Sequence, residues 1–391
     1  MKQKVEVTHQ VTATILSMSL LTVMAGAAIA PALGIIKQHF ADAPDLLVQL
    51  IISIPALLII ITSMFFRAIS SHWRTRTIAI MGLMLYVVAG AGCFCVSDIY
   101  VLLALRALLG LSVGLIMPLS TGLLAFYFPP SDLARLMGLS AAMNQMGGVV
   151  ATLLAGLLAT IEWNYAFLVY ILGLIALVMV LVWLPNEHLS SHDKQGNPFR
   201  PSHLLKFHPS VTGMFLLMLI FFIFPTNFAI IAEQQTTLSS HAITIIMVGL
   251  DVVAFFVGLG FGHLMHTFRR PIKYFAPSCF LLGFGLYLVG NVTAIILGSA
   301  FIGIATGVGV PYLNTIASIK GGKSSATTVM PLLSAALYLG QFLSPVIVIP
   351  LAQSIGGDDI TSPYKIGMIL SIVFLFQVWA TRYFQSLPPE K

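Results

Sequence analysis

The sequence predicts an all-α membrane protein: twelve transmembrane helices in two pseudo-symmetric six-helix bundles. Three observations carry this. Hydrophobic residues make up 58 % of the chain and charged residues 8 %, against roughly 45–50 % and 25 % in soluble domains. The pattern Gly110, Gly114, Pro118 recurs as Gly303, Gly307, Pro311, an offset of 193 in a chain of 391 residues. The basic residues sit between apolar segments rather than along one polar face.

Twelve apolar runs follow, each about 20 residues or longer and so able to cross a hydrocarbon core of roughly 30 Å. The first, 12–36, contains Pro31 and follows MKQKVEVTHQ. This opening resembles a signal peptide, but the run is too long and ends in no cleavage site. The next five are 47–66, 77–97, 99–127, 134–160 and 164–184; the fourth carries Arg106 and the glycine pattern, the fifth Asn144, Gln145 and Gly147. The stretch 185–209 is rich in Pro, Ser, His and Lys and reads as a cytoplasmic linker. The second half repeats the plan at 210–232, 241–265, 272–290, 293–318, 325–352 and 363–383. This gives an N-terminal bundle over 1–184 and a C-terminal bundle over 210–391.

Further landmarks keep the offset: Arg76 with Arg269, Met137 with Met330 and Gly147 with Gly340 at 193, then Pro31 with Pro225 at 194. Glycine lets helices approach closely, and proline removes a rung of the helical ladder. Interrupted helices in a duplicated bundle are the build of a secondary transporter whose substrate site lies between the repeats.

With both termini in the cytoplasm, Lys2, Lys4, Arg67, Arg74, Arg76, Arg135, Lys194, Arg200, Lys206, Arg269, Arg270, Lys273, Lys320, Lys323, Arg382 and Lys391 all fall inside. These are sixteen of the nineteen basic residues. Lys37 and Lys365 fall outside, where Asp42, Asp45, Asp98, Glu162, Glu233, Asp358 and Asp359 also lie. The bias sets the orientation by the positive-inside rule. The partners this implies are a lipid bilayer and a small molecule; the net charge of +6 marks topology and no nucleic acid.

Other chemistries find little support. The three cysteines, Cys93, Cys95 and Cys279, fall in spans and offer no disulfide framework. Glu187, His188, His192 and Asp193 in the linker, and His263 with His266, have metal-ligand residue types without a rigid frame. There is no HExxH, phosphate loop or nucleophile elbow, so neither an enzyme nor ATP-driven transport is indicated. No cofactor is expected, and a proton gradient would supply the energy.

The whole chain resembles the major facilitator superfamily. Arg106, Gly110 and Gly114 match that family's Arg-x-x-x-Gly-x-x-x-Gly in the fourth span. Basic clusters Arg74/Arg76 and Arg269/Arg270 stand at the inner-gate loops, but Ser70 and a histidine occupy the usual acidic positions. The fifth span keeps Gly138, Gly147, Gly148 and Gly156 without the Gly-Pro ending of the family's drug:proton antiporters. The resemblance implies the major facilitator fold, a monomer in a bacterial inner membrane, and proton-coupled efflux.

The residues that would do the work follow from polarity at depth. Asp251 lies near the middle of the eighth span, where an ionised carboxylate costs about 2.5–3.5 kcal/mol and is retained when it faces a partner or cavity. It is the candidate proton carrier. Arg106 cannot readily lose its proton, so it holds acids ionised or binds an anionic group; the resemblance implies a part in proton transfer. The two are expected to share one polar network. Asn144 and Gln145 would line the substrate cavity, as would the clusters Pro225–Thr226–Asn227 and Pro311–Tyr312–Asn314, which are expected to interrupt the seventh and tenth spans. Tyr338 and Gln341 add polar tips.

The function expected is alternating-access transport: proton-coupled export of a small amphipathic organic compound. A uniporter or importer of an organic anion, held by Arg106 and a helix N-terminus, is the alternative within transport. A membrane enzyme or partner subunit is the alternative outside it.

Overall fold

The computed structural model describes residues 9–128, 130–187, 201–235, 238–321, 329–356 and 359–381. Among them all regular structure is helical. Helix α1 runs His9–Ala27, passes through a 3-10 turn at Ala30–Ala32 and resumes over Leu33–His39. Pro31 sits in that turn, where its missing N–H ends the regular ladder. Helix α2 is Asp45–His72, α3 Thr75–Gly92 and α4 Ile99–Tyr127. The Asp98 carboxylate caps α4 by accepting from the N–H groups of Tyr100 and Val101 at 2.8 and 3.0 Å. Helix α5 is Pro130–Ala159, and α6 begins as a 3-10 helix, Trp163–Leu172, before Gly173–Trp183.

Helix α7 has two parts, Pro201–Phe221 and Ile223–Gln235. Its break, at Phe222, lies three residues before Pro225, whose ring cannot donate to the ladder. The span therefore is interrupted as expected. Helix α8 comprises Ser240–Leu259 and Phe261–Phe268, with Ser239 as N-cap. Helix α9 joins a 3-10 turn, Arg270–Tyr274, to Phe275–Tyr287. Helices α10, α11 and α12 are Val292–Gly321, Met330–Gly356 and Ser362–Ala380.

Eleven helical segments among the described residues are long and apolar enough to cross a membrane. The remaining span, α9, has a continuous α-helix of 13 residues and gains its length from the 3-10 turn. Two expectations need correction. Pro118 and Pro311 do not break their helices, since α4 and α10 run unbroken through them. One lost rung in a helix of 29 or 30 residues leaves intact hydrogen bonding on either side. The proposed linker is also shorter, because α7 starts at Pro201, with proline at the first helical position where its missing N–H costs nothing.

The chain forms two compact units: Met1–Ala43 with Ile54–Lys194, and Pro44–Ser53 with Gln195–Lys391. The start of α2 thus groups with the second unit. In the first, α1 packs on α4, α5 and α6, and α3 on α4 and α6. In the second, α7 packs on α10, α11 and α12, α9 on α10 and α12, and α8 on α10.

The duplication reappears as matching close approaches. A side chain at Gly110 would collide with the Pro55 backbone of α2, and one at Gly114 would come within 2.6 Å of Thr62 Cβ. Their counterparts Gly303 and Gly307 would each place a Cβ 2.7 Å from a carbonyl of α8, Leu250 O and Ala254 O. Gly147 faces the Leu20 carbonyl of α1, and Gly340 would place a Cβ 2.5 Å from the Phe215 carbonyl of α7. Repeated glycines therefore make repeated helix contacts, α4 on α2 as α10 on α8, and α5 on α1 as α11 on α7.

Candidate functional site

In the first unit the polar centre is Arg106, which is 0 % exposed. Its Nη1 donates to the Tyr170 hydroxyl at 2.6 Å and its Nη2 to the Ala25 carbonyl at 2.7 Å. Tyr170 also donates to Ala25 O, at 3.0 Å, and the guanidinium carbon lies 5.6 Å from the tyrosine ring centre. The acceptor follows from the break in α1. Regular helix ends at Ala27, so the last-turn carbonyls lack continuing partners and present the negative end of the helix dipole. A guanidinium with donors on two edges answers that need.

Asn144 is half-buried and spends its Oδ1 on the Thr22 hydroxyl at 2.7 Å, one turn from a Ser19–Ser140 hydrogen bond of 2.8 Å. It ties α5 to α1 beside Gly147. Gln145 is exposed on the adjoining face.

In the second unit Asp251 is half-buried on α8, flanking the seam that Leu250 and Ala254 make with Gly303 and Gly307. Ile245, Phe256 and Leu259 mark a different, exposed face of the same helix. The acid therefore stands off the apolar surface, as its desolvation cost requires. The break in α7 is satisfied locally: Thr226 Oγ1 donates to Phe222 O at 2.5 Å, and Asn227 Nδ2 donates to Ile223 O at 2.9 Å and Thr226 Oγ1 at 3.0 Å. Asn227 Oδ1 accepts from Gln49 Nε2 at 2.9 Å, and both side chains are buried. Tyr312 and Gln341 are buried, Asn314 and Tyr338 half-buried. Neither Asn314 nor Gln341 makes a side-chain hydrogen bond among the described residues.

Arg106 belongs to the first unit and Asp251 to the second. The basic loop residues, despite their common offset, differ in local structure. Arg74 is the extended N-cap of α3, and Arg76 donates to the Leu181 carbonyl of α6. Arg269 is an exposed turn residue at φ 46°, and the exposed Arg270 opens the 3-10 start of α9. Of the linker's metal-ligand types only Glu187 lies within the described residues; His188, His192 and Asp193 lie outside them.

Sequence reading missed Tyr170, Thr22 and Gln49. Tyr170 had a signal, since Tyr364 follows it by 194 residues, the offset of Pro31 and Pro225. Gln49 is a lone amide in an apolar run. At the start of α12, Lys365 Nζ donates to Asp359 at 2.5 Å and the Thr361 hydroxyl and N–H donate at 2.7 and 2.9 Å, which holds the Asp359 carboxyl down at about 2.

A sequence model of the Major Facilitator Superfamily matches residues 15–345. The chain is similar to the probable anion transporter 4, chloroplastic, of Arabidopsis thaliana, 35 % identical over 88 residues; these are 22 % of this chain and 16 % of that protein. The chain thus spans about a sixth of the curated relative it matches. Among solved structures, a bacterial homologue of the human lysosomal transporter Spinster, inward-facing and unoccupied, superposes with a TM-score of 0.72 at 16 % identity, covering 96 % of both chains. The nucleoside transporter NupG gives 0.74 at 11 % identity, covering 97 % of this chain and all of its own. At such identities these likenesses show the fold alone. The family model spans well over half of the sequence, and on that ground the chain belongs to the Major Facilitator Superfamily.

Proposed function

We propose that the protein is a proton-coupled secondary transporter that exports a small amphipathic organic compound by alternating access, as a monomer in a bacterial inner membrane with both termini cytoplasmic. The observation that carries this reading is Asp251, a half-buried acid near the middle of α8, flanking the seam with α10. An acid at that depth is costly when ionised, so a change in its charge can be tied to a change of conformation. The scarcity of charges within the spans, and the amides of Asn314 and Gln341, suit a mildly polar ligand better than a multiply charged one. Arg106 acts as a fixed positive charge that orders the break in α1. The basic loops support the orientation.

A second reading is transport of an organic anion. It is favoured by the buried guanidinium of Arg106 and by the name of the plant relative, an anion transporter. The two readings separate in proteoliposomes. A ligand first found by its thermal stabilisation of the purified protein is loaded, and its movement is followed with and without an imposed pH gradient. Acceleration by the gradient of a neutral or cationic amphipath supports export coupled to protons. Counterflow of a labelled carboxylate that ignores the gradient supports the anion reading.

A further inference from the structure

The second unit contains a cavity of about 240 Å3 with aromatic walls. Phe228 of α7, Tyr287 of α9 and Tyr364 of α12 line it, with Ala232, Gly290 and Ile295. The internal repeat explains its existence. Tyr364 corresponds to Tyr170 and Ser299 to Arg106, at offsets of 194 and 193. In the first unit the Arg106 guanidinium meets the Tyr170 hydroxyl. Ser299 is too short for that role and bonds Tyr287 instead, at 2.7 Å.

The first unit is also plugged beyond this point. Trp163 stacks on His39 with ring centres 4.5 Å apart and packs against Phe40 and Phe167 at 5.3 and 6.3 Å. Residues 194 later are Gly357, Glu233, Gln234 and Thr361, none with an aromatic ring, and Gly357 lies outside the described residues. The second unit thus lacks these rings at the corresponding positions. At the wall of the cavity the Tyr364 side chain is 3 % exposed, and its hydroxyl has no hydrogen-bond partner among the described residues.

We infer that this cavity binds a small organic cation, with an ammonium or guanidinium head on a compact apolar body. The first unit shows the chemistry within the same chain: a guanidinium bonded to a tyrosine hydroxyl and 5.6 Å from its ring centre. Aromatic faces attract cations most strongly where water is excluded. Glu233 follows the lining residue Ala232 on α7 and stands where the first repeat has His39, which places an acidic residue one position from the wall. The volume lies below the roughly 300–1,000 Å3 of drug-sized sites, which limits the body to about one ring. The site lies among α7, α9, α10 and α12 and includes neither Asp251 nor Arg106.

The test uses the full-length protein in nanodiscs and three probes of one shape, benzylamine, benzyl alcohol and benzoate, titrated by ligand-observed NMR. Benzylamine is expected to bind about tenfold more tightly than the alcohol, and benzoate more weakly still. Tyr364→Phe and Glu233→Gln should each weaken benzylamine about three- to tenfold at unchanged melting temperature. Ser299→Arg should block it by supplying a guanidinium from within. Asp251→Asn should leave it unchanged, which separates this site from the coupling site. Equal binding of amine and alcohol would mark a plain apolar void and overturn the inference. So would wild-type affinity in both the Phe and Gln variants, or loss of binding on Asp251→Asn.

Discussion

Arg106 holds a full positive charge in a place with no exposure to solvent, and its hydrogen bonds show why it is stable there. Each bond from a charged donor contributes about 1.5–3 kcal/mol. Arg106→Lys keeps the charge but cannot span Tyr170 Oη and Ala25 O from the two edges of a planar group. It should lower stability by about 1.5–3 kcal/mol, read as a lower melting temperature in detergent; an unchanged melt would show that the pair of bonds carries little. Arg269 makes the opposite case. Its φ of 46° is strained for any residue with a Cβ and typically costs about 1–3 kcal/mol. Arg269→Gly should therefore raise stability by about 1 kcal/mol after glycine's own entropy is counted, read as a higher melting temperature.

At the scale of helices, glycine spacing decides which faces meet. Gly303 and Gly307 have α8 carbonyls where a Cβ would stand, whereas Gly249 on α8 has nothing within 4 Å. Gly249→Ala should stabilise α8 by about 0.5–1 kcal/mol through helix propensity. Gly303→Ala should destabilise by about 1–3 kcal/mol through overpacking. Thermal melts of the two variants check the pair, and equal shifts would remove the seam from the explanation. These contacts were legible in the sequence because glycine and proline act on the backbone and keep their spacing through duplication. The Tyr170 and Gln49 contacts were not legible. A tyrosine or glutamine in an apolar run reads as packing until a partner 64 or 178 residues away is brought beside it. Proline was over-read for a related reason: a missing N–H predicts a lost rung, and only neighbouring structure decides whether the helix stops, as near Pro31, or continues, as at Pro311.

The start of α12 offers a pH test at the same scale. Asp359 is held at about 2, below the ordinary carboxylate value, chiefly by Lys365 and then by Thr361. A depressed folded value means the stabilisation is present above the unfolded value of about 3.9 and fades as pH falls through about 2. Hydrogen exchange at the first turn of α12 should accelerate over that window in the wild type and show no such step in Asp359→Asn.

For the whole molecule, duplication explains both likeness and difference. The two units share their glycine contacts, yet one buries Arg106 and Trp163 while the other has a cavity beside Tyr364. Membership of the superfamily was readable from twelve apolar runs and the Arg106–Gly110–Gly114 register. Substrate and coupling are not written in backbone-shaping residues, and the proposed function rests them on single polar side chains such as Asp251. The decisive measurement is therefore substrate flux in proteoliposomes under an imposed pH gradient, comparing wild type, Asp251→Asn and Asp251→Glu. The gradient should drive the wild type and the Glu variant, while the Asn variant should still exchange substrate across the membrane without responding to the gradient. An Asn variant driven as strongly as the wild type would take proton coupling away from Asp251.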